Sequence, residues 1–233
     1  MGIIEGKFIG DTSYLSLNEV EKDNKKYIYG EFHKTLSSYD SGKHQKRSNL
    51  GIEGILSPVE LINEDGIFKG YLMDYVDGVS LSQTFYDIPF DGLINGVKYL
   101  SQAYFAIAEK GYQLEEIELS DLMCSGGKLI HIGVDGFKDV QSKIPAYVCM
   151  ESMNVLKSKL IKQLESLSLS PEISKVLVAD SKRLIPIEKL LRDFKEAIKL
   201  SYGIDLITLS ELRGAKNGNK EKSIGNSWTN RSW

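Results

Sequence analysis

Three carboxylates, Glu116, Asp121 and Asp135, lie in loop-like stretches around a short hairpin pattern, and they are the groups best suited by type to do chemistry. A carboxylate can take a proton from a hydroxyl, and two of them with phosphate oxygens make a reasonable Mg²⁺ site. Loop carboxylates are also commonly solvated charge and nothing more. Cys124 and Cys149 have no Cys-x-x-Cys spacing, and with only three histidines (His33, His44, His131) a zinc site is not expected. The two thiols read as reduced and partly buried. A net charge of -3 gives no electrostatic reason for nucleic acid or a membrane surface as partner. No window approaches the roughly 20 apolar residues that span a bilayer, and the first residues lack a secretory layout, so a cytoplasmic protein is expected.

Those carboxylates can act only if the fold brings them together. Up to about residue 80 the chain runs in short segments rich in Tyr, Ile, Phe and Val: 3–9, 14–20, 26–32, 56–62 and 68–76. Glu21-Lys22-Asp23-Asn24 and Asn63-Glu64-Asp65-Gly66 have hairpin-turn chemistry, which predicts an antiparallel sheet. Residues 37–49 are polar, with a basic cluster at Lys43, Lys46 and Arg47, and predict a mobile loop or a short, poorly formed helix. Helical periodicity follows. Leu93, Val97, Leu100, Tyr104 and Ile107 make one apolar face; Leu156, Leu160, Leu164 and Leu167 make a second; Ile187, Leu190, Leu191, Phe194 and Ile198 make a third, with Pro186 at its first turn. Ser125-Gly126-Gly127-Lys128 separates two apolar runs as a hairpin would. The stretch 213–233 is polar, carries Trp228 and Trp233, and is expected to be disordered.

Residues 70–81, GYLMDYVDGVSL, read as strand, turn dipeptide Asp77-Gly78, and a helix capped by Ser80. Met73, Asp74, Tyr75 and Val76, followed by Gly78 and Leu81, resemble the hinge between the lobes of protein kinases, whose main chain binds the adenine of ATP. Arg183 ahead of a Pro186-led helix resembles the segment that closes kinase helical lobes. That likeness implies an ion pair between Arg183 and Glu151, in which each charge offsets the other's desolvation.

The same resemblance assigns roles in the loops. Laid on Ser120-Asp121-Leu122-Met123, the kinase catalytic motif puts Asp121 at the metal-binding asparagine and Glu116 at the catalytic aspartate, with Leu114 and Glu115 replacing histidine and arginine. Asp135 is the acidic candidate for the second metal ligand, with Gly133 competing for that place. The glycine-rich loop is reduced to Gly6, Gly10 and an unfavourable Asp11, and Glu31 falls near the place of the phosphate-binding lysine.

The expected fold is therefore α+β, a two-lobed protein-kinase-like fold: a β-rich lobe over 1–76, a helical lobe over 77–212 and the tail 213–233. The expected function is a pseudokinase of bacterial or phage type that acts through a protein partner. One alternative is a divergent active ATP-dependent Ser/Thr protein kinase, with ATP and Mg²⁺ as cofactors. The other is a non-enzymatic assembly protein of unrelated α+β fold.

Overall fold

The computed structural model describes residues 6–33, 41–140, 144–167, 169–181 and 185–212. Its first half is an antiparallel sheet in the order β1-β2-β3-β6-β5, from β1 (Lys7–Asp11), β2 (Leu15–Lys22), β3 (Lys25–Phe32), β5 (Glu60–Glu64) and β6 (Ile67–Asp74). The β2–β3 hairpin turns at Asp23 and Asn24, and the β5–β6 hairpin at Asp65 and Gly66, all with positive φ. That is the geometry two-residue hairpins demand and that Asn, Asp and Gly tolerate. Alternation along the strands then sorts side chains to the two faces. Leu15, Leu17, Ile28, Phe32, Phe68, Tyr71 and Met73 form an inner cluster, and Val20, Tyr29 and Leu72 a smaller outer one.

Between β3 and β5 the chain forms helix α1 (Ser41–Lys46) and the short strand β4 (Ile55–Leu56). The basic stretch expected to be a mobile loop or weak helix is thus helical at its centre, and two of its residues are interior ones. His44 and Arg47 are buried while Lys43 and Lys46 are exposed. Spacing of three residues puts His44 and Arg47 on one side of the turn.

After β6 come β7 (Val79–Ser80) and α2 (Leu81–Thr84), capped by the Ser80 hydroxyl, which accepts from the Ser82 amide at 3.3 Å. The long helix α3 (Phe90–Glu109) buries the predicted face. Next are β8 (Tyr112–Leu114), a 3-10 turn (Leu119–Asp121), the hairpin β9 (Leu122–Ser125) and β10 (Lys128–Ile132), and β11 (Phe137–Asp139). Gly126 and Gly127 make that hairpin's turn with positive φ. β4, β10, β9 and β7 form a second sheet, with β4 parallel to β10, and β8 pairs with β11.

Helices α4 (Pro145–Glu165), α5 (Pro171–Ser181) and α6 (Ile187–Tyr202) complete the helical half around one large apolar core. Pro171 begins α5, and α6 ends at Gly203 in a left-handed C-cap. Among the described residues no helix is long and apolar enough to cross a membrane.

Candidate functional site

The space between the five-stranded sheet and the β9–β10 hairpin is bounded at one side by the hinge-like residues. Successive residues of β6 part company there. Met73 points inward and is fully buried, whereas Asp74 is exposed and pairs with Lys25 at 2.9 Å. Tyr75 and Val76 are half-buried and pack against the inner cluster, with the Lys26 ammonium 5.2 Å from the Tyr75 ring centre. Met123 and Ile132 rise from the hairpin to meet Leu15, Leu17, Ile28, Tyr71 and Met73 in one continuous apolar cluster. Side chains of the two halves thus interdigitate directly inside the hinge-like segment.

The register of β3 decides what it offers this space. Ile28 pairs with Met73 and Gly30 with Tyr71, and Ile28, Gly30 and Phe32 are the buried, inward positions. Glu31 is exposed on the opposite side. The expectation that Glu31 faces the cleft is corrected accordingly, because one step along a strand reverses the side chain. Gly30 is the inward residue, and a Cβ there would meet Leu15 Cδ1 at 2.9 Å and Met73 Cε at 3.4 Å. Lys34 lies outside the described residues.

The β1–β2 turn folds down onto the catalytic-loop-like segment. The Ser13 amide donates to Asp121 Oδ1 at 2.7 Å and the Ser13 hydroxyl to Asp121 Oδ2 at 2.9 Å. The Glu118 amide, three residues before Asp121, donates to Oδ2 at 2.7 Å. Asp121 is 5% exposed, and it holds residues 108 positions apart in the chain. Burial raises its pKa, while the Ser13 and Glu118 donors pull the other way. Thr12 rigidifies the turn, its hydroxyl accepting from the Tyr14 and Leu15 amides at 3.2 and 3.0 Å.

Asp135 sits in a different environment. Its side chain is 2% exposed and accepts from the Tyr71 hydroxyl, with His44 Nε2 2.8 Å from Oδ1. The His44 ring is enclosed by Phe32, Phe68 and Tyr71, with centroids 5.1–5.7 Å away. Gly133 lies against this group at φ 80°, and a Cβ there would come within 2.7 Å of the Tyr71 hydroxyl oxygen. One turn on, Arg47 donates through Nη1 to the carbonyls of Phe137 at 2.5 Å and Val134 at 3.3 Å, and through Nη2 to Asp139 at 3.3 Å. Its guanidinium lies 5.2 Å from the Tyr112 ring centre. Helix α1 is thereby fixed to the segment that follows β10.

Glu116 is exposed. The backbone around it is held by the Glu115 amide donating to the Gly136 carbonyl at 2.9 Å and by the buried side chains of Leu114, Ile117 and Leu119. Glu115 and Glu118 form surface pairs with Lys138 and Lys159. Among the described residues no three His, Cys, Asp or Glu side chains converge on a point that could hold a metal ion. Glu151 lies half-buried in the second turn of α4, and Arg183 lies outside the described residues. On β10, His131 is fully buried beside the Tyr104 hydroxyl at 2.9 Å, and burial pushes its pKa down to about 3.

Residues absent from the sequence-based candidates therefore do much of the binding together: Ser13, His44, Arg47 and Tyr71. Only the three-residue spacing of His44 and Arg47 offered a local signal.

No protein-family model matches the chain, and no curated protein matches it. Solved structures do. A point-mutant form of the kinase domain of PknI from Mycobacterium tuberculosis is 12% identical with a TM-score of 0.61, over 84% of this chain and 95% of that one. Another structure of that domain is 13% identical with a TM-score of 0.59 over the same shares, and a third gives 13% and 0.55, covering 84% of this chain and all of that one. The chain has a protein-kinase-like fold, which sets aside the alternative of an unrelated α+β fold.

Proposed function

We propose that this chain is a pseudokinase, a kinase-like scaffold that acts by presenting its surface to a protein partner and does not use ATP or Mg²⁺. The observation that carries this is the Ser13–Asp121 clasp. In a kinase the β1–β2 turn and the metal ligand stand apart with phosphates and Mg²⁺ between them. Here the turn's amide and hydroxyl occupy the carboxylate directly. Three further features agree with it. The inner cluster lies directly inside the hinge-like residues, Gly30 takes the inward place on β3 opposite Tyr71 and so puts no cation there, and Asp135 is engaged by Tyr71 and His44. A phosphate brought near Asp121 without a compensating cation would meet a buried carboxylate, which is repulsive.

The half-buried thiols Cys124 and Cys149 are unpaired, and burial raises both their pKa values, so neither is poised for redox chemistry. That usage suits a reducing, cytoplasmic setting.

Purified protein incubated with labelled ATP and Mg²⁺ should show no autophosphorylation and no transfer to generic substrates. Turnover that vanishes in Asp135→Ala, or in the exposed and structurally mild Glu116→Gln, would overturn the proposal. It would favour instead a divergent Ser/Thr kinase with Glu116 as base and Asp121 and Asp135 as Mg²⁺ ligands.

A further inference from the structure

Among the described residues an open groove lies on the outer side of the hinge-like segment, away from the inner cluster. One cavity of about 690 Å³ runs between the α1–β4 connection, the β9–β10 turn and the outer side of Asp74, Val76 and Asp77. A second, of about 510 Å³, continues it along α3 past Gln102, Ala106, Glu109 and Lys110. The two share Gly51, Ile52, Glu53 and Tyr99, so they form a single trough. Its wall residues are small or apolar at the floor and charged at the rim, where the four acids Glu53, Asp74, Asp77 and Glu109 outnumber Lys110 and Lys128. Glu53 and Asp74 are paired with Lys128 and Lys25, while Asp77 and Glu109 are exposed and carry no ion pair among the described residues.

A long trough of this kind suits a basic segment, and the chain carries one at 213–233, outside the described residues. Residues 213–233 hold five basic residues against the single acid Glu221, a net of +4, which leaves 24 basic and 31 acidic residues, a net of -7, on the rest. They also hold both tryptophans of the chain, Trp228 and Trp233. Tryptophan is the side chain most often found to anchor an interface. The described residues end beside the N-terminal end of α3, the helix whose later turns wall the trough. The Ser210 amide donates to the Tyr86 carbonyl at 2.8 Å, the Phe90 amide to the Ile207 carbonyl at 2.7 Å, and Leu212 is buried in the helical core. From Phe90 to Tyr99 α3 rises only about 14 Å. The 16 residues from 213 to 228 can span roughly 50 Å when extended.

We infer that residues 213–233 seat in this trough in cis, with the tryptophans against the Tyr99–Ala106 wall and the basic residues toward Asp77 and Glu109. The inference goes beyond the reading of the cleft and is tested without nucleotide, so neither can fail on account of the other.

Because no tryptophan lies elsewhere, indole fluorescence of the full chain reports this segment alone. Docking predicts blue-shifted emission and weak quenching by acrylamide, unchanged on dilution. The surface double variant Asp77→Lys/Glu109→Lys, and separately Gln102→Arg, should red-shift the emission and increase quenching. Leu200→Ser, 79% exposed on α6, should not. Circular dichroism confirms that each variant is folded. Emission and quenching equal to those of a free tryptophan peptide would overturn the inference, as would protection insensitive to both groove variants. Protection that disappears on dilution would assign the trough to a second copy and overturn seating in cis.

Discussion

Met73 and Asp74 are neighbours on one strand, yet they face two different kinds of surface. On the Met73 side, side chains from both halves are packed together and cross-linked by Asp121 and Asp135, each accepting from distant parts of the chain. On the Asp74 side lies an open trough whose rim is charged and solvated. An active kinase keeps its inner face open for nucleotide; on the function proposed above, that face serves as core and recognition falls to the outside. The difference predicts that substitutions inside cost stability and that substitutions outside leave it nearly untouched.

The packed side of the molecule depends heavily on Arg47. Arg47→Met strips the donors from the buried carbonyls of Val134 and Phe137 and releases α1, so it should cost about 3 kcal/mol in urea unfolding. A loss below about 1 kcal/mol would mean that α1 is held by something else. Tyr71→Phe removes one donor from the enclosed Asp135 carboxylate and should cost about 1–3 kcal/mol by the same measurement.

Acid should act through His131. Its folded pKa of about 3 lies below the ordinary 6.5, so the unfolded chain binds a proton that the folded one refuses. This contribution is fully present above pH 6.5 and is lost as the pH falls toward 3, at up to about 1.4 kcal/mol per unit. Chemical denaturation at a series of pH values should show that slope, flattened in His131→Phe. A smaller effect is expected of Ser13→Ala, which keeps the amide arm of the clasp and should cost about 1 kcal/mol. Least of all, Lys25→Ala breaks an exposed pair with Asp74 and should shift unfolding by under about 1 kcal/mol.

Much of the scaffold was legible in the sequence because its signals are local. Asp23-Asn24, Asp65-Gly66 and Gly126-Gly127 state their hairpins, Ser80 its cap, and the faces of α3 and α6 their burial. The hinge-like residues pointed to the two-lobed fold on the same footing. The interior of the cleft was not legible. Ser13 reaches Asp121 across 108 residues, and His44 reaches Asp135 across 91, with no spacing rule to connect them. The face presented by β3 hinges on a register in which a single residue exchanges Gly30 for Glu31, and composition cannot supply that. Arg47 looked like surface charge because its acceptors are backbone carbonyls, which no side-chain pattern reveals.

If the cleft is closed to nucleotide by its own side chains, as proposed, thermal unfolding with and without millimolar ATP and Mg²⁺ will show it. A ligand present at 100 times its dissociation constant adds about 2.7 kcal/mol to the folded state. A closed cleft gives superimposable melting curves with and without nucleotide. A Mg²⁺-dependent rise in Tm on adding ATP, enlarged by Ser13→Ala, would contradict it.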